Sequence, residues 1–463
     1  MAVIASAPRV ADSQPIYPPR SAVISWIFFD WAAQPYFTLI TTFVFAPYFV
    51  THVASDPASG QSMWGFATAA AGLLIAVMSP VLGAIADASG RRKPWIAFFG
   101  ALLVLGSGLM WFGKPGDPGV IPPLLLAYGI ATIGAEFATV FNNAMMPTLV
   151  PPDQIGRLSG TGWATGYVGG IISLIVVLGF LAASPETGRT LFGFSPLFGL
   201  DPVTHQGDRI SGPLTGIWFI VFVLPMFLLT PDYPAKRAAG DAVRAGLTEL
   251  KQTLLELPKQ KSLAAFLLAN MIYTDALVSL FAFGGIYAAG TFGWNTIQIG
   301  TFGILLAIAG TFGAWLGGRL DDSLGPKRVI AGSMLLLLLA IVAILLVDKD
   351  SILFVKVAAP APGGLLFSGA AERAYLVLGC LIGAAGGPLQ AASRTLLIHM
   401  APKDRVAQYF GLFALTGKVT SFVGPLLIGA ITAITAMSSS AITRNKRTAR
   451  SVPASRGPSA RSP

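Results

Sequence analysis

Charge is what this chain has least of. Of 463 residues only 11% are Asp, Glu, Lys or Arg, against about 25% in an ordinary soluble domain. There is one cysteine, Cys380, inside an apolar run, which excludes a disulfide framework and a cysteine-held metal site. The three histidines, His52, His205 and His399, are scattered without metal-ligand spacing. A phosphate-binding loop and a clean dinucleotide fingerprint are also missing, so no enzyme or ATP-driven chemistry is expected. The N-terminus has no apolar core and is not a secretory signal. No cofactor and no metal are expected, beyond a coupling proton or sodium ion.

What is present is apolar surface. The chain is 54% hydrophobic, with 30 Phe and 52 Gly. This composition reads as an all-α polytopic membrane protein, with the lipid bilayer as its partner. The net charge of +10 does not mark a nucleic-acid binder, because the basic residues lie in short loops between apolar runs.

About 20 apolar residues cross a bilayer. Eleven such spans can be read: 22–50, 62–86, 95–112, 121–146, 160–183, 213–230, 262–289, 296–320, 328–347, 374–399 and 409–437. Residues 1–21 form a disordered arm on this reading. A first bundle covers 22–230, a linker 231–261, a second bundle of five spans 262–437, and a basic tail 438–463. In the linker, Leu247, Leu250, Leu254 and Leu257 recur at helical spacing and predict an amphipathic helix on the membrane or against the bundle. With the N-terminus inside, the inner segments carry eighteen Lys and Arg against six outside. The N-terminus is therefore expected to be cytoplasmic. The tail breaks the pattern. Its Ser/Arg/Pro composition follows abruptly on "LLIGAITAITAM", either as a plain disordered tail or in place of a lost twelfth span, with the abruptness favouring the second. A degraded copy lacking that span is one alternative to a working transporter.

Two loops repeat. "GAIADASGRRK" (83–93) follows span 2 and "GRLDDSLGPKR" (318–328) follows span 8. The shared positions are Gly83, Asp87 and Gly90, then Arg91 and Arg92, against Gly318, Asp322 and Gly325, then Lys327 and Arg328. Two related halves are typical of secondary transporters. The glycines allow two helix ends to approach. Asp87 and Asp322 can accept from a neighbouring helix N-terminus and pair with the cations that follow them, forming a latch that holds one state closed.

These loops resemble the signature of the major facilitator superfamily. "FFDWAAQPYFTLITTFVFAPYF", "FNNAMMPTLVPPDQIGRLSGTGWATGYVGG" and "LQAASRTLLIHMAPKDRVAQYFGLFALTGKVTSFVGPLLIG" are similar to the "unknown major facilitator" family, which includes the autophagy-related vacuolar amino-acid effluxers. The resemblance implies two pseudo-symmetric six-helix bundles around a central cavity and alternating access; the absence of targeting sequences and the basic cytoplasmic side fit a bacterial inner membrane, and a monomer is expected. The resemblance points to a small polar solute, with amino acids as the class the effluxers suggest. A sugar–cation symporter-like transporter and a non-transporting membrane scaffold are the alternatives.

An ionisable residue inside a span is a functional hypothesis. Asp30 lies about 15 Å beyond Arg20 at 1.5 Å per residue. Glu136, Asp275 and Arg394 fall on spans 4, 7 and 10, and Lys418 on span 11. In the resembled fold, spans 1, 4, 7 and 10 line the cavity. Asp30 and Asp275 read as equivalent positions of the repeat. Proton or cation coupling through Asp30, Asp275 or Glu136 is expected, with Arg394 or Lys418 holding an anionic substrate group. The plainer alternative is a set of fixed ion pairs. Asn142, Asn143, Gln390, Gln34, Asn270 and Tyr273 are further lining candidates, with Asn142 and Asn143 as plain helix caps the simpler choice. Trp26, Trp31 and Trp163 could stack on substrate or merely pack. Gly162, Gly166 and Gly170 form a close-packing face of span 5, and Pro425 a kink in span 11.

Overall fold

The structure, a computed structural model, describes residues 17–294, 296–357 and 367–419. The tail 438–463, most of the arm, Pro425 and the end of the eleventh span lie outside these residues. Among the described residues ten helices are long and apolar enough to cross a membrane, and an eleventh begins at Val406. We number them α1 (Arg20–Pro35, continued by π-helical turns to Val53), α2 (Pro57–Ser89), α3 (Lys93–Leu109), α4 (Ile121–Asn143), α5 (Ile155–Val176), α6 (Ser211–Leu229), α7 (Lys261–Phe292), α8 (Thr296–Leu324), α9 (Pro326–Leu345), α10 (Ala370–Met400) and α11 (Val406–Lys418). A linker helix, Ala239–Glu256, joins α6 to α7.

Local signals explain the boundaries. Asp56 caps α2 by accepting from Ser59 N at 3.0 Å, with Pro57 at the first helical position. At the other end Gly90 has φ +91, a left-handed turn that a side chain would resist. Gly325 repeats it at φ +85, directly before Pro326 opens α9. Between α9 and α10 a small antiparallel sheet forms from β1 (Val347–Asp348), β2 (Ser351–Ile352) and β3 (Val355–Lys356), with Val347 opposite Ile352 and Ser351 opposite Lys356.

The sequence repeat divides the spans into two sets, α1–α6 and α7–α11. α1 lies on α5 and α6, α3 on α4 and α6, and α2 on α4; α10 lies on α8 and α9, and α7 on α11. Between the sets the main contacts are α2 with α11 and α8 with α5. Advancing each by six spans exchanges these two contacts, so the interface has the two-fold symmetry of the repeat. Rows such as Leu335, Leu338 and Leu339 on α9 stay exposed, as a lipid-facing surface requires.

The linker helix corrects one expectation. Ala242 and Leu250 are buried, and Gly246 meets the backbone of Ala84 and Ile85 on α2. Leu247 and Leu254 are exposed. The packing stripe is thus Ala242–Gly246–Leu250, rotated from the leucine stripe, because small residues let the helix sit against α2.

Close approach between the sets depends on glycine. A Cβ on Gly83 would lie 2.4 Å from the Ala407 carbonyl oxygen on α11, whereas Gly65 on the same helix has open space. Gly83→Ala is therefore expected to destabilise the protein by about 1–3 kcal/mol through overpacking. Gly65→Ala should stabilise it by about 0.5–1 kcal/mol through helix propensity. Thermal unfolding of both variants in one detergent checks the contrast, and equal shifts would refute it.

Candidate functional site

The central group is Arg394, buried on α10. Its Nε donates to Ser159 Oγ at 3.0 Å and its Nη2 to the Ser159 carbonyl at 2.7 Å. Its Nη1 donates to Asn143 Oδ1 at 2.9 Å and faces Asp30 Oδ2 at 3.4 Å. The guanidinium carbon also lies 5.3 Å from the centre of the Trp163 ring. All these partners, on α1, α4 and α5, belong to the first set of spans. One side chain of the second set is thus anchored inside the first. A planar fork with five donors suits this task, and a lysine would satisfy fewer acceptors.

The Asp30 contact is the longest of the four. Gly162 makes it fit, because a Cβ there would come 2.5 Å from Asp30 Oδ2. Gly166, Gly169 and Gly170 continue this face of α5 along α1, against Asp30, Trp31 and Thr38. A second crossing pair joins α11 to α4, with Lys418 Nζ 2.6 Å from Glu136 Oε1. Both groups are partly exposed. The internal charges therefore form two separate bridges rather than one pooled cluster.

Asp275 does not join either bridge. It is half-buried, and its Oδ1 has no hydrogen-bond partner among the described residues. It also lies one turn further into α7 than Asp30 into α1, counted from Lys261 and Arg20. The expected equivalence of Asp30 and Asp275 is not seen, because only Asp30 reaches across the interface. Asn270 and Tyr273 secure α7 within its own set, through Thr416 (3.1 Å) and Ser393 (2.6 Å). Gln390 reaches the Tyr167 hydroxyl at 3.5 Å and Gln34 borders Gly170.

Asn143 is a partner of Arg394 and not a mere cap. Asn142 is fully buried and its amide atoms have no partner among the described residues, while its carbonyl accepts from Trp26 Nε1 at 2.9 Å. Trp26 is buried, and Trp31 stacks on Trp218 at 5.8 Å. Both are packing residues, which leaves Trp163 as the aromatic beside the charge.

At one end of the helices the repeated loops make matched contacts. Asp87 on α2 accepts from Ala407 N (3.2 Å) and Gln408 N (2.7 Å), in the first turn of α11. Asp322 on α8 accepts from Arg157 N at 3.0 Å, in the first turn of α5. Each carboxylate thus meets the positive end of a helix from the other set. Gly83 and Gly318 provide the approach, a Cβ on Gly318 falling 2.6 Å from the Gly156 carbonyl.

The cations differ between the copies. Arg92 is buried, pairs with Asp87, and donates to the carbonyls of Ala86 and Gly90. Its guanidinium lies 4.9 Å over Tyr233, whose phenol is pushed up by burial while Arg92 pulls it down. In the second copy Lys327 and Arg328 are exposed and the cation on Asp322 is Arg157, 3.4 Å away from α5. The expected pairing with the following basic residues therefore holds only in the first copy. Pro326 starts α9 at once, so the next two side chains leave along that helix. Arg91 is exposed too. Asp232 was not singled out from the sequence, yet it accepts from Arg92 N (2.8 Å) and Lys93 N (3.2 Å) and caps α3.

Two helical sets, joined by paired acid-to-helix contacts and by buried charges, define a membrane transporter of the major facilitator type rather than an enzyme. The proton:xylose symporter XylE superposes with a TM-score of 0.58 at 14% identity, covering 90% of this chain and 88% of that one. The fucose:proton symporter FucP of E. coli gives 0.56 at 16%, covering 90% and 92%. The family model described as "vacuole effluxer Atg22 like" matches residues 58–445, and the chain belongs to that family. The MFS-type transporter YxiO of Bacillus subtilis is 24% identical over 429 residues, 90% of each chain. Autophagy-related protein 22 of Yarrowia lipolytica is 24% identical over 350 residues, 69% of this chain and 52% of that protein. The match thus spans about half of the fungal protein.

Arg394→Gln leaves Asp30 without its cation. A broken buried pair costs up to about 3–5 kcal/mol, and neutralising the stranded partner returns part of it. The Asp30→Asn change is therefore expected to be milder in the Arg394→Gln background than in the native protein. A double-mutant cycle on unfolding temperature measures this, and strict additivity would show that the pair is not coupled.

Proposed function

We propose that this protein moves a small polar solute carrying a carboxylate, an amino acid being the first choice, across the bilayer by alternating access. The observation that carries this reading is the placement of Arg394, a buried cation of one set held by neutral groups of the other and only loosely by Asp30. A substrate carboxylate can replace Asp30 on the guanidinium. Asp30, released from its cation in a poorly hydrated site, then favours its protonated form. Binding of substrate and of a proton are thereby linked, and a sodium ion at Asp30 would serve the same logic. Membership of the effluxer family supports transport, and the shared fold of the proton symporters XylE and FucP is consistent with proton coupling.

The loop contacts act as gates. Asp87 of α2, bound to the start of α11, and Asp322 of α8, bound to the start of α5, hold the two sets together at one end, and opening that end requires both helix N-termini to leave their acids. The gates and the central site share the first turn of α5. Arg157 in that turn is held by Asp322, and Ser159, two residues on, by Arg394. When a substrate draws Arg394 away from Ser159, the start of α5 loses its link to the guanidinium and keeps those to Asp322 and, through Ser159 Oγ, to the Ala391 carbonyl. The basic bias of the loops and the bacterial relative support an inner-membrane location with the gate end and the N-terminus cytoplasmic, and a monomer is the working unit.

Uptake into proteoliposomes tests the proposal. A panel of amino acids is offered with and without a pH gradient. Asp30→Asn should lose gradient-driven accumulation while keeping solute exchange. Arg394→Gln should lower apparent affinity by about 10- to 100-fold, the scale of a charge-assisted hydrogen bond of about 1.5–3 kcal/mol. Unchanged accumulation in Asp30→Asn and in Asp275→Asn would sink proton coupling through these groups.

A further inference from the structure

The second gate contains an acid that the first lacks. Asp321 precedes Asp322 on α8 and is only 3% exposed. Both of its carboxylate oxygens are buried without a hydrogen-bond partner among the described residues. The matching position in the first gate, one before Asp87, is Ala86. The repeat thus places a methyl group in one gate, at the start of α11, and a carboxyl group in the other, at the start of α5. A Cβ on Gly156 would lie 2.7 Å from both Cβ and Cγ of Asp321, so the acid sits directly against the first turn of α5.

The charges nearby are already engaged or turned away. Asp322 is its neighbour on α8 and takes both the amide and the guanidinium of Arg157 from α5. Asp153, before α5, adds a second negative charge on that side. On α10, Arg394 is bound to Ser159, Asn143 and Asp30, and the exposed His399 reaches the Pro152 carbonyl at 3.4 Å. Arg319 lies over the Trp315 ring at 3.6 Å, and Lys327 and Arg328 on α9 are exposed. Among the described residues an ionised Asp321 would therefore stand buried beside another carboxylate and without a cation, which is costly. A neutral carboxyl needs only an acceptor. The Thr395 hydroxyl lies beside it: it can donate to the carboxylate or, while it donates to the Ala391 carbonyl at 3.3 Å, accept from the carboxyl.

We propose that Asp321 is a proton-binding site built into the second gate, loaded as the gate closes and emptied as it opens. The proposal rests on the gating role given above to Asp322. On closing, an O–H bond forms on Asp321 with a proton from the water at that end of the membrane. When α5 lifts from α8, water enters and the proton returns to it. Low pH thus favours the closed gate, and the closed form is lost as pH rises. Thr395 adjoins Arg394 in the chain, so this proton lies one residue from the central cation and on a route separate from Asp30.

The test reads gate distance against pH. Spin labels are placed at Gln154→Cys and Ser323→Cys, both exposed positions flanking the gate, in a Cys380→Ser background in nanodiscs. In the otherwise native chain the closed-to-open ratio should fall with rising pH, by up to about tenfold per pH unit for one proton. Asp321→Asn, and Asp321→Ala as in the other half, should stay closed with that slope abolished. Asp322→Asn should shift the population to open and keep the slope. A native slope surviving in both Asp321 variants, or no slope in the parent, overturns the proton site. An Asp322→Asn distance distribution equal to the parent's overturns the gate itself.

Discussion

A guanidinium held away from water must have acceptors, and Arg394 finds all of them in the opposite half of the molecule. Most of the internal arrangement follows from that constraint. Ser159 and Asn143 have to face inward, α5 has to lack side chains at Gly162 to admit Asp30, and α1 has to lie close along the glycine face. The bridge also explains why it is suited to change. Neutral acceptors carry most of the anchoring, so one anionic partner can be exchanged for another without leaving the cation bare.

The loop contacts use a different currency of attraction. Asp87 and Asp322 bind the open amides of a helix start, and Asp322 adds the Arg157 guanidinium of that same helix. Such a contact is strong only while the helix points at the acid, and it falls off within a turn. A small rocking of one set therefore breaks it cleanly. The internal bridge and the end contacts meet on α5, whose first turn touches both. Movement at one is transmitted to the other through a rigid stretch of helix, with no chain of intermediates needed.

Much of this was legible in the chain. Long apolar runs marked the spans to within a few residues, and the Gly83–Asp87 and Gly318–Asp322 spacings marked the repeat. Asp30, Glu136, Arg394 and Lys418 stood out because charge in hydrocarbon has few excuses. Their pairing was not legible. Which acid meets which cation depends on how spans distant in sequence pack, and Asp30 and Arg394 are 364 residues apart. The same holds for Arg157, a lone basic residue before span 5 that replaced Lys327 and Arg328 as the partner of Asp322. The linker helix misled for a local reason: leucines suggested its buried face, whereas contact with α2 selected the smaller Ala242 and Gly246. Asp321 was masked by its neighbour, since a motif containing Asp-Asp does not say which acid has the helix end.

The crossed arrangement of the end contacts bears on ancestry. Each half supplies the acid that holds a helix of the other, and neither half closes on itself. A half-length chain carrying one such loop would meet its need fully by pairing with a second copy, and both closures would appear at once. Once fused, the halves become free to differ, though a change in one acid must still suit a helix encoded 165 or 321 residues away. Ala86 and Asp321 are the place where that freedom has been used.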